Sequence, residues 1–114
     1  MPGTDQWLVQ LRKGIVELLI LRLLRAKGEM HGYALVKELL SRGPFISGEG
    51  TVYPILRRLQ SDGLLVSRWA ETPTGPPRKY YLLSQSGCQF LVQADAEWET
   101  IVRSMSQIES EGQQ

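Results

Sequence analysis

The sequence predicts a mainly α-helical domain of the α+β class, in which three helices are followed by a small β-hairpin and a last helix. Apolar residues recur at helical spacing over most of the chain. One region departs from this pattern, because two stretches rich in Val, Tyr and Trp flank a Pro/Gly-rich segment there. The chain has 114 residues and a single cysteine, which is the length of one domain and excludes an intrachain disulfide scaffold.

The first helix is predicted over residues 5–25. Its apolar positions follow i, i+3 and i+4 spacing: Leu8, Leu11, Ile15, Leu18 and Leu19. Further leucines spread apolar surface around the helix, and such a helix must be covered on several sides. We therefore expect its own core on one side and a partner subunit on the other. Lys27 and Gly28 end it with a cation in the last turn and a glycine at C′.

A second helix is predicted over residues 32–40, and Pro44 ends it because proline disfavours helix at the preceding residue. The third helix is predicted to begin near Ser47 or Gly48 and to run to Ser61. Its inward face follows helical spacing: Val52, Ile55, Leu56 and Leu59. This helix ends at Asp62-Gly63, and the spacing of the apolar residues changes after Gly63.

After Gly63, strands are predicted at residues 64–71 and 78–83, joined by a loop over residues 72–77. Ser84 is a candidate N-cap for a last helix that runs to about Ser110. That helix carries an alternating three- and four-residue seam, typical of helix pairing: Leu91, Ala94, Trp98, Ile101, Met105 and Ile108. The seam covers under three heptads, so it favours a dimer helix packed on the first helix over a free-standing coiled coil.

The predicted organisation is a winged helix-turn-helix over residues 1–84, a dimerisation helix over 85–110 and a frayed tail over 111–114. Charge follows the same division. Residues 1–84 hold 12 Lys and Arg against 7 Asp and Glu, whereas residues 85–114 hold 1 against 5. The net charge of +1 therefore does not exclude a nucleic-acid binder.

Two short helices separated by a break and followed by a hairpin form the layout of a winged helix-turn-helix. There, the second helix of the pair enters the major groove of DNA and the hairpin, or wing, reaches the flanking backbone. The exposed side of the third helix carries groups suited to phosphates and base edges: Thr51, Tyr53, Pro54, Arg57 and Arg58. Arg78 and Lys79 place two cations on the wing. Gly48 and Gly50 allow the helix start to approach DNA closely.

Four blocks stand out: residues 31–33 (HGY), 50–59 (GTVYPILRRL), 62–65 (DGLL) and 77–84 (PRKYYLLS). In this order and spacing they resemble the PadR family of bacterial transcriptional regulators, in its short subgroup with one C-terminal helix. The resemblance implies a homodimer that represses promoters at pseudo-palindromic double-stranded DNA until an effector releases it. It also implies DNA contacts from the third helix and wing, with Tyr33 and Lys37 of the second helix as candidates for backbone contacts.

Trp98 has two interpretations. It is either an aromatic anchor in the dimer core or, with its symmetry mate, the wall of an apolar cleft that stacks flat aromatic molecules. Short PadR-like regulators of multidrug resistance resemble the second arrangement, which implies a planar aromatic or phenolic effector. The first and last helices then supply the other walls: Leu8, Leu11, Ile15, Ile101 and Met105. Trp7 either adds to this wall or caps the interface.

His31 is expected to pack at the start of the second helix rather than bind a ligand. Cys88 is expected to be a small buried hydrophobe, with an intersubunit redox disulfide as the alternative. Trp69 is expected to pack on the wing. One His and one Cys argue against a four-ligand zinc site within one chain, so no metal or cofactor is expected.

No carboxylate pair, Gly-rich phosphate loop or nucleophile–base arrangement stands out, so an enzyme is not expected. The longest apolar stretch, residues 15–24, is too short to span a bilayer. The N-terminus lacks a basic segment followed by an apolar one, so no signal peptide is expected. We therefore expect a cytoplasmic protein without a membrane partner. A winged helix that binds proteins and not DNA stays open as the alternative function, opposed by the basic third helix.

Overall fold

The computed structural model describes residues 3–43 and 49–113, which form four helices and a three-stranded antiparallel sheet. The helices are α1 (Asp5–Lys27), α2 (Gly32–Leu40), α3 (Glu49–Ser61) and α4 (Gln85–Gly112). The strands are β1 (Met30–His31), β2 (Leu65–Thr72) and β3 (Gly75–Leu83), in the spatial order β1-β3-β2. The β2–β3 hairpin is called the wing below. This arrangement confirms the predicted mainly helical fold with one small hairpin.

The core is formed by aliphatic side chains from α1, α2 and α3 together with residues of β2, β3 and α4. Fully buried residues of the three helices are Val16, Ile20, Leu21, Leu35, Leu39, Val52, Leu56 and Leu59. The buried residues of α1 are Val16, Ile20, Leu21 and Leu24, and none of them belongs to the predicted stripe that begins at Leu8. Leu11 and Ile15 of that stripe lie instead on the side of α1 that faces α4. α1 therefore has two apolar sides, as its leucine-rich sequence predicts.

The bounds of α2 agree with the prediction. The expected break at Pro44 and the expected helix start at Ser47 or Gly48 lie outside the described residues. The other end of α3 is confirmed. Gly63 has φ +78°, and the Leu64 N–H donates to the Leu59 carbonyl at 3.0 Å, the six-to-one bond that closes a helix at a left-handed glycine.

The wing differs from the prediction, because the expected loop over residues 72–77 is wrong. β3 begins at Gly75, and Thr72 already pairs with Gly75 across a short turn. The two prolines that follow Gly75 fit inside a strand because β1 pairs only with Tyr80 and Tyr81, which leaves that edge of β3 open near the turn. The ladder with β2 is irregular between Ala70 and Thr72. The wing is consequently a longer and more regular hairpin than expected.

The last helix begins at the predicted N-cap and ends two residues beyond the predicted Ser110. The Ser84 hydroxyl accepts from the Gly87 N–H at 2.9 Å and donates to the Gly63 carbonyl at 2.7 Å. Leu91 is buried in the core, whereas every described residue after Trp98 is exposed. The first half of α4 thus belongs to the domain body, and its second half presents an apolar seam to solvent.

Candidate functional site

The first candidate surface is a groove where the start of α2, the helix α3 and the strand β3 meet. It has a volume of about 340 Å³ and is lined by His31, Gly32, Tyr33, Tyr53, Arg78, Lys79 and Tyr81. We call it the tyrosine groove. The structure thereby brings together four residues that were predicted separately as DNA contacts: Tyr33, Tyr53, Arg78 and Lys79.

The start of α2 is held in place by His31 and Gly32. The His31 Nδ1 accepts from the Ala34 N–H at 3.2 Å, which makes the imidazole the N-cap and confirms its expected role at the helix start. The same ring stacks parallel to Tyr33, at 6.5 Å between centroids. A Cβ at position 32 would lie 3.2 Å from the Tyr53 ring. Glycine therefore lets α2 begin directly beneath Tyr53.

The cations of the groove lie on alternate faces of β3. Arg78 is exposed, whereas the half-buried Lys79 has its Nζ 5.3 Å from the centroid of the Tyr81 ring. Burial raises the pKa of the Tyr81 hydroxyl, and the positive charge of Arg57 partly opposes that rise. The positive charge of Arg57 thus acts on Tyr81, one of the residues that line the tyrosine groove. These groups form a surface of phenol rings and cations that suits a phosphate backbone.

The neighbouring Arg58 has a different partner. Its Nη2 donates to Oε2 of Glu17 on α1 at 2.7 Å, so Arg58 ties α3 to α1. Sequence reasoning placed both arginines on one DNA-facing side without this ion pair. The other predicted contacts from the helices differ in exposure: Pro54 and Lys37 are exposed, and Thr51 is half-buried.

A second ion pair fixes the wing against the α1–β1 connection. Arg68 on β2 donates from both Nε and Nη2 to the carboxylate of Glu29, and its guanidinium carbon lies 4.9 Å from the centroid of the Tyr80 ring. The hydrogen bond from Arg68 lowers the pKa of Glu29. Sequence reasoning missed this pair, because 39 residues separate its members. It orients the hairpin that carries Arg78.

The second candidate surface is a cleft between α1 and α4 with a volume of about 880 Å³. Four of the six residues predicted to bind a ligand line it: Leu11, Ile15, Trp98 and Ile101. Leu8 and Met105 are not among its lining residues, and Met105 is 65% exposed. Sequence reasoning missed Phe90, which adds a second aromatic ring, and the carboxylates of Glu17 and Glu97. The sequence prediction considered the apolar stripe of each helix separately. It therefore did not identify residues that line the cleft only because the two helices lie side by side.

Asp95 joins the two helices that form the cleft. Its carboxylate accepts from Arg22 Nε at 2.8 Å and from Arg25 Nη1 at 2.6 Å. Burial raises the pKa of Asp95, but the hydrogen bonds from the two guanidinium groups outweigh it and hold the pKa below its ordinary value. In the sequence analysis Asp95 is only one of the five acidic residues of residues 85–114.

Two single-residue predictions are wrong. Cys88 is exposed, because the adjacent Gly87 and the next-turn Leu91 take the buried side of α4. Trp69 is 68% exposed on β2, with the Lys79 Nζ 6.0 Å from its ring centroid. Trp7, whose role was open, is 58% exposed on α1.

Residues 3–43 and 49–113 contain no group of three or more His, Cys, Asp or Glu side chains that could hold a metal ion. None of the helices in those ranges combines the length and the apolar character that a membrane span needs.

Comparison with known proteins gives consistent matches. The profile of the Transcriptional regulator PadR-like family matches residues 20–93. A transcriptional regulator of Mycobacterium tuberculosis is 36% identical over 80 residues, which cover 70% of this chain and 73% of that protein. A PadR family transcriptional regulator from Eggerthella lenta has a similar structure, with a TM-score of 0.78, 35% identity and coverage of 92% of this chain and 90% of that chain. A PadR-like transcription factor from Bacteroides fragilis gives a TM-score of 0.75 at 38% identity, with coverage of 88% and 95%.

Proposed function

The chain belongs to the PadR-like family of transcriptional regulators, and on that premise we propose that it is a DNA-binding, homodimeric repressor released by an aromatic effector. Members of this family are transcriptional regulators and not enzymes, and the chain is a regulator in the same sense. Its partner is double-stranded DNA with two half-sites in a pseudo-palindrome, and it acts in the cytoplasm.

The tyrosine groove is the observation that carries the DNA-binding proposal. Its two candidate hydroxyls, from Tyr33 and Tyr53, come from two different helices, and its two cations, Arg78 and Lys79, come from the wing. Phenolic hydroxyls and cations are common donors to phosphate oxygens. The exposed Arg57 and Pro54 of α3 face outward beside them, in the position of a helix that enters the major groove. Thr51, Arg58 and Lys37 complete the proposed DNA contacts.

The exposed half of α4 supports the homodimer. Ile101, Met105 and Ile108 are 45%, 65% and 67% exposed on one apolar seam, and a second copy offers the same seam for pairing. We accordingly assign residues 1–84 to DNA binding, with α1 also in the interface, and residues 85–110 to dimerisation. Residues 111–114 are the tail.

The cleft between α1 and α4 supports the effector. It is mostly apolar and carries the rings of Trp98 and Phe90, which suit a planar aromatic or phenolic molecule. Leu11, Ile15 and Ile101 form its walls, and Leu8 and Met105 complete the site when a second copy closes it. Titration of neutral phenols and planar aromatic drugs into wild type and Trp98→Ala tests this, because the variant should lose the high-affinity part of the binding.

DNA binding is tested by fluorescence anisotropy with duplexes from the region upstream of the protein's own gene, over a series of salt concentrations. We expect saturable, sequence-dependent binding, and we expect Arg57→Ala and Arg78→Ala each to weaken it and to reduce the salt slope by about one. Arg103→Ala is the matched control, since it removes an exposed arginine from α4 and not from the groove.

Two outcomes contradict the proposal. Equal affinity for all duplexes at every salt concentration, or equal losses from Arg57→Ala and Arg103→Ala, removes the assignment of the DNA-binding face. Complete absence of duplex binding by the folded protein instead favours a winged helix that binds proteins.

A further inference from the structure

Glu17 connects the cleft between α1 and α4 with helix α3. It lines the cleft between α1 and α4. Its Oε2 also accepts from the Nη2 of Arg58 on α3 at 2.7 Å, with side chains 25% and 51% exposed respectively. One carboxylate thus touches the cleft on one side and the proposed DNA-binding helix on the other.

The charged groups that line the cleft have one sign. Its lining residues include two ionisable side chains, Glu17 and Glu97, and both are acids. The other lining residues are apolar, glycine or amide-bearing, and they include the aromatic rings of Phe90 and Trp98. Carboxylates beside aromatic faces attract an aromatic cation and repel an aromatic carboxylate.

We propose that an aromatic organic cation in this cleft competes with Arg58 for the Glu17 carboxylate, and so links cleft occupancy to the position of α3. The regulatory part rests on the proposed function of α3 in DNA binding. A part-exposed ion pair holds its partners weakly, so the carboxylate is open to exchange. Because linkage is reciprocal, the cation weakens the Arg58 contact as much as Arg58 weakens the cation.

The first test is calorimetric titration of the full-length protein without DNA. The probes are 2-naphthyl-trimethylammonium, its anionic counterpart 2-naphthoate and the neutral 2-naphthylmethanol. We expect the cation to bind more tightly than either counterpart. Equal affinities, preference for the anion, or no binding of any probe because side chains of a second copy fill the cleft would each overturn the proposal.

Variants then test the competition itself. Arg58→Gln releases Glu17, so the cation should bind about two- to fivefold more tightly, the range that an exposed ion pair allows. Glu17→Gln should weaken cation binding and abolish the gain from Arg58→Gln in the double variant. Arg42→Gln is the matched control, because it breaks an exposed ion pair with Glu38 that lies outside the cleft.

Glu97→Gln distinguishes competition for the Glu17 carboxylate from a general effect of negative charge in the cleft. It should weaken the cation but leave the gain from Arg58→Gln intact, because Glu97 has no part in the Arg58 ion pair. An unchanged cation affinity in Arg58→Gln, or the same gain in Arg42→Gln, overturns the proposal. None of these measurements involves DNA, so loss of duplex binding would refute the proposed function while leaving this competition standing, and the reverse also holds.

Discussion

Adjacent residues of α3 illustrate how position within a helix decides the partner of a side chain. Arg57 lies near enough to Tyr81 to oppose the effect of burial on its pKa, while Arg58 donates to Glu17 on α1. Successive helical side chains point about 100° apart, so Arg57 affects Tyr81 whereas Arg58 is directed at Glu17. Adjacent positions in the sequence therefore have different surroundings in the fold.

The N-cap formed by His31 gives a prediction at the residue scale. His31→Ala removes the acceptor of the Ala34 N–H, so the free energy of unfolding should fall by about 1 kcal/mol in urea denaturation at fixed protein concentration. His31→Asn is the matched control: it restores an N-cap acceptor without the ring that stacks on Tyr33. If Asn costs as much as Ala, the ring contacts and not the cap stabilise this helix start.

Local chemistry made some residues predictable. The N-cap role of Ser84 and the place of His31 at a helix start follow from residues within three positions along the chain, and both are confirmed. The predictions that Cys88 is buried and that Trp69 packs on the wing were wrong, because burial depends on which neighbouring residue lies on the inward side. The Glu17–Arg58 contact joins positions 41 residues apart, and no spacing rule reaches that far.

At the scale of elements, the junction between α3 and α4 depends on the absence of a side chain at Gly87. A Cβ there would overlap the carbonyl oxygen of Leu64 and would lie 3.0 Å from its carbonyl carbon. Gly87→Ala must push α4 away from the turn, so we expect a loss of about 1–3 kcal/mol in the free energy of unfolding. The control is Gly112→Ala in the same helix, where no heavy atom lies within 4 Å of the added carbon. Equal stabilities of the two variants would contradict the close packing.

The contact between α1 and α4 should weaken in acid through Asp95. Its pKa is lower in the folded chain than its ordinary value of 3.8, so its contribution to stability is complete above that value and is lost as the pH falls through the folded pKa. Asp95→Asn should cost about 1 kcal/mol at pH 7 and progressively less below pH 4. Thermal unfolding from pH 7 to pH 3 measures this, with Glu109→Gln as the control. A difference that persists undiminished at pH 3 would rule out the ion pairs as its cause.

Helices were predictable because their periodicity is local, whereas the sheet was predictable only in part. Met30 and His31 form a strand solely because Tyr80 and Tyr81 lie beside them, and two residues carry no period of their own. The pairing of β1 with Tyr80 and Tyr81 also affects how the wing forms. Because β1 ends where it does, Pro76 and Pro77 are accepted in β3, although their presence in the sequence indicates a loop.

At the scale of the whole molecule, the basic surplus and the acidic surplus lie in different parts of an elongated chain. The described residues extend 63 Å along the longest axis and 21 Å along the shortest. The basic surplus lies within residues 1–84, and four of the five acidic residues of residues 85–114 come after Asp95. Asp95 itself is paired with two arginines of α1. Three of those four, Glu99, Glu109 and Glu111, lie on the exposed half of α4 after Trp98, which suits a helix that contacts protein and not phosphate.

This exposed half of α4 gives the prediction that tests the assembly. Met105→Glu combined with Ile108→Glu places two carboxylates on the seam, and burial of unpaired charges against a second copy is costly. Sedimentation velocity should then show a monomer that keeps the helical circular dichroism of the wild type. Affinity for a duplex with two half-sites should fall about tenfold or more because the linked second contact is lost, while affinity for a single half-site should change little. Gln107→Glu adds a carboxylate to the same helix turn off the seam and should remain dimeric. A double variant that still sediments as a dimer would place the interface elsewhere, and with it the closure of the cleft beside Trp98.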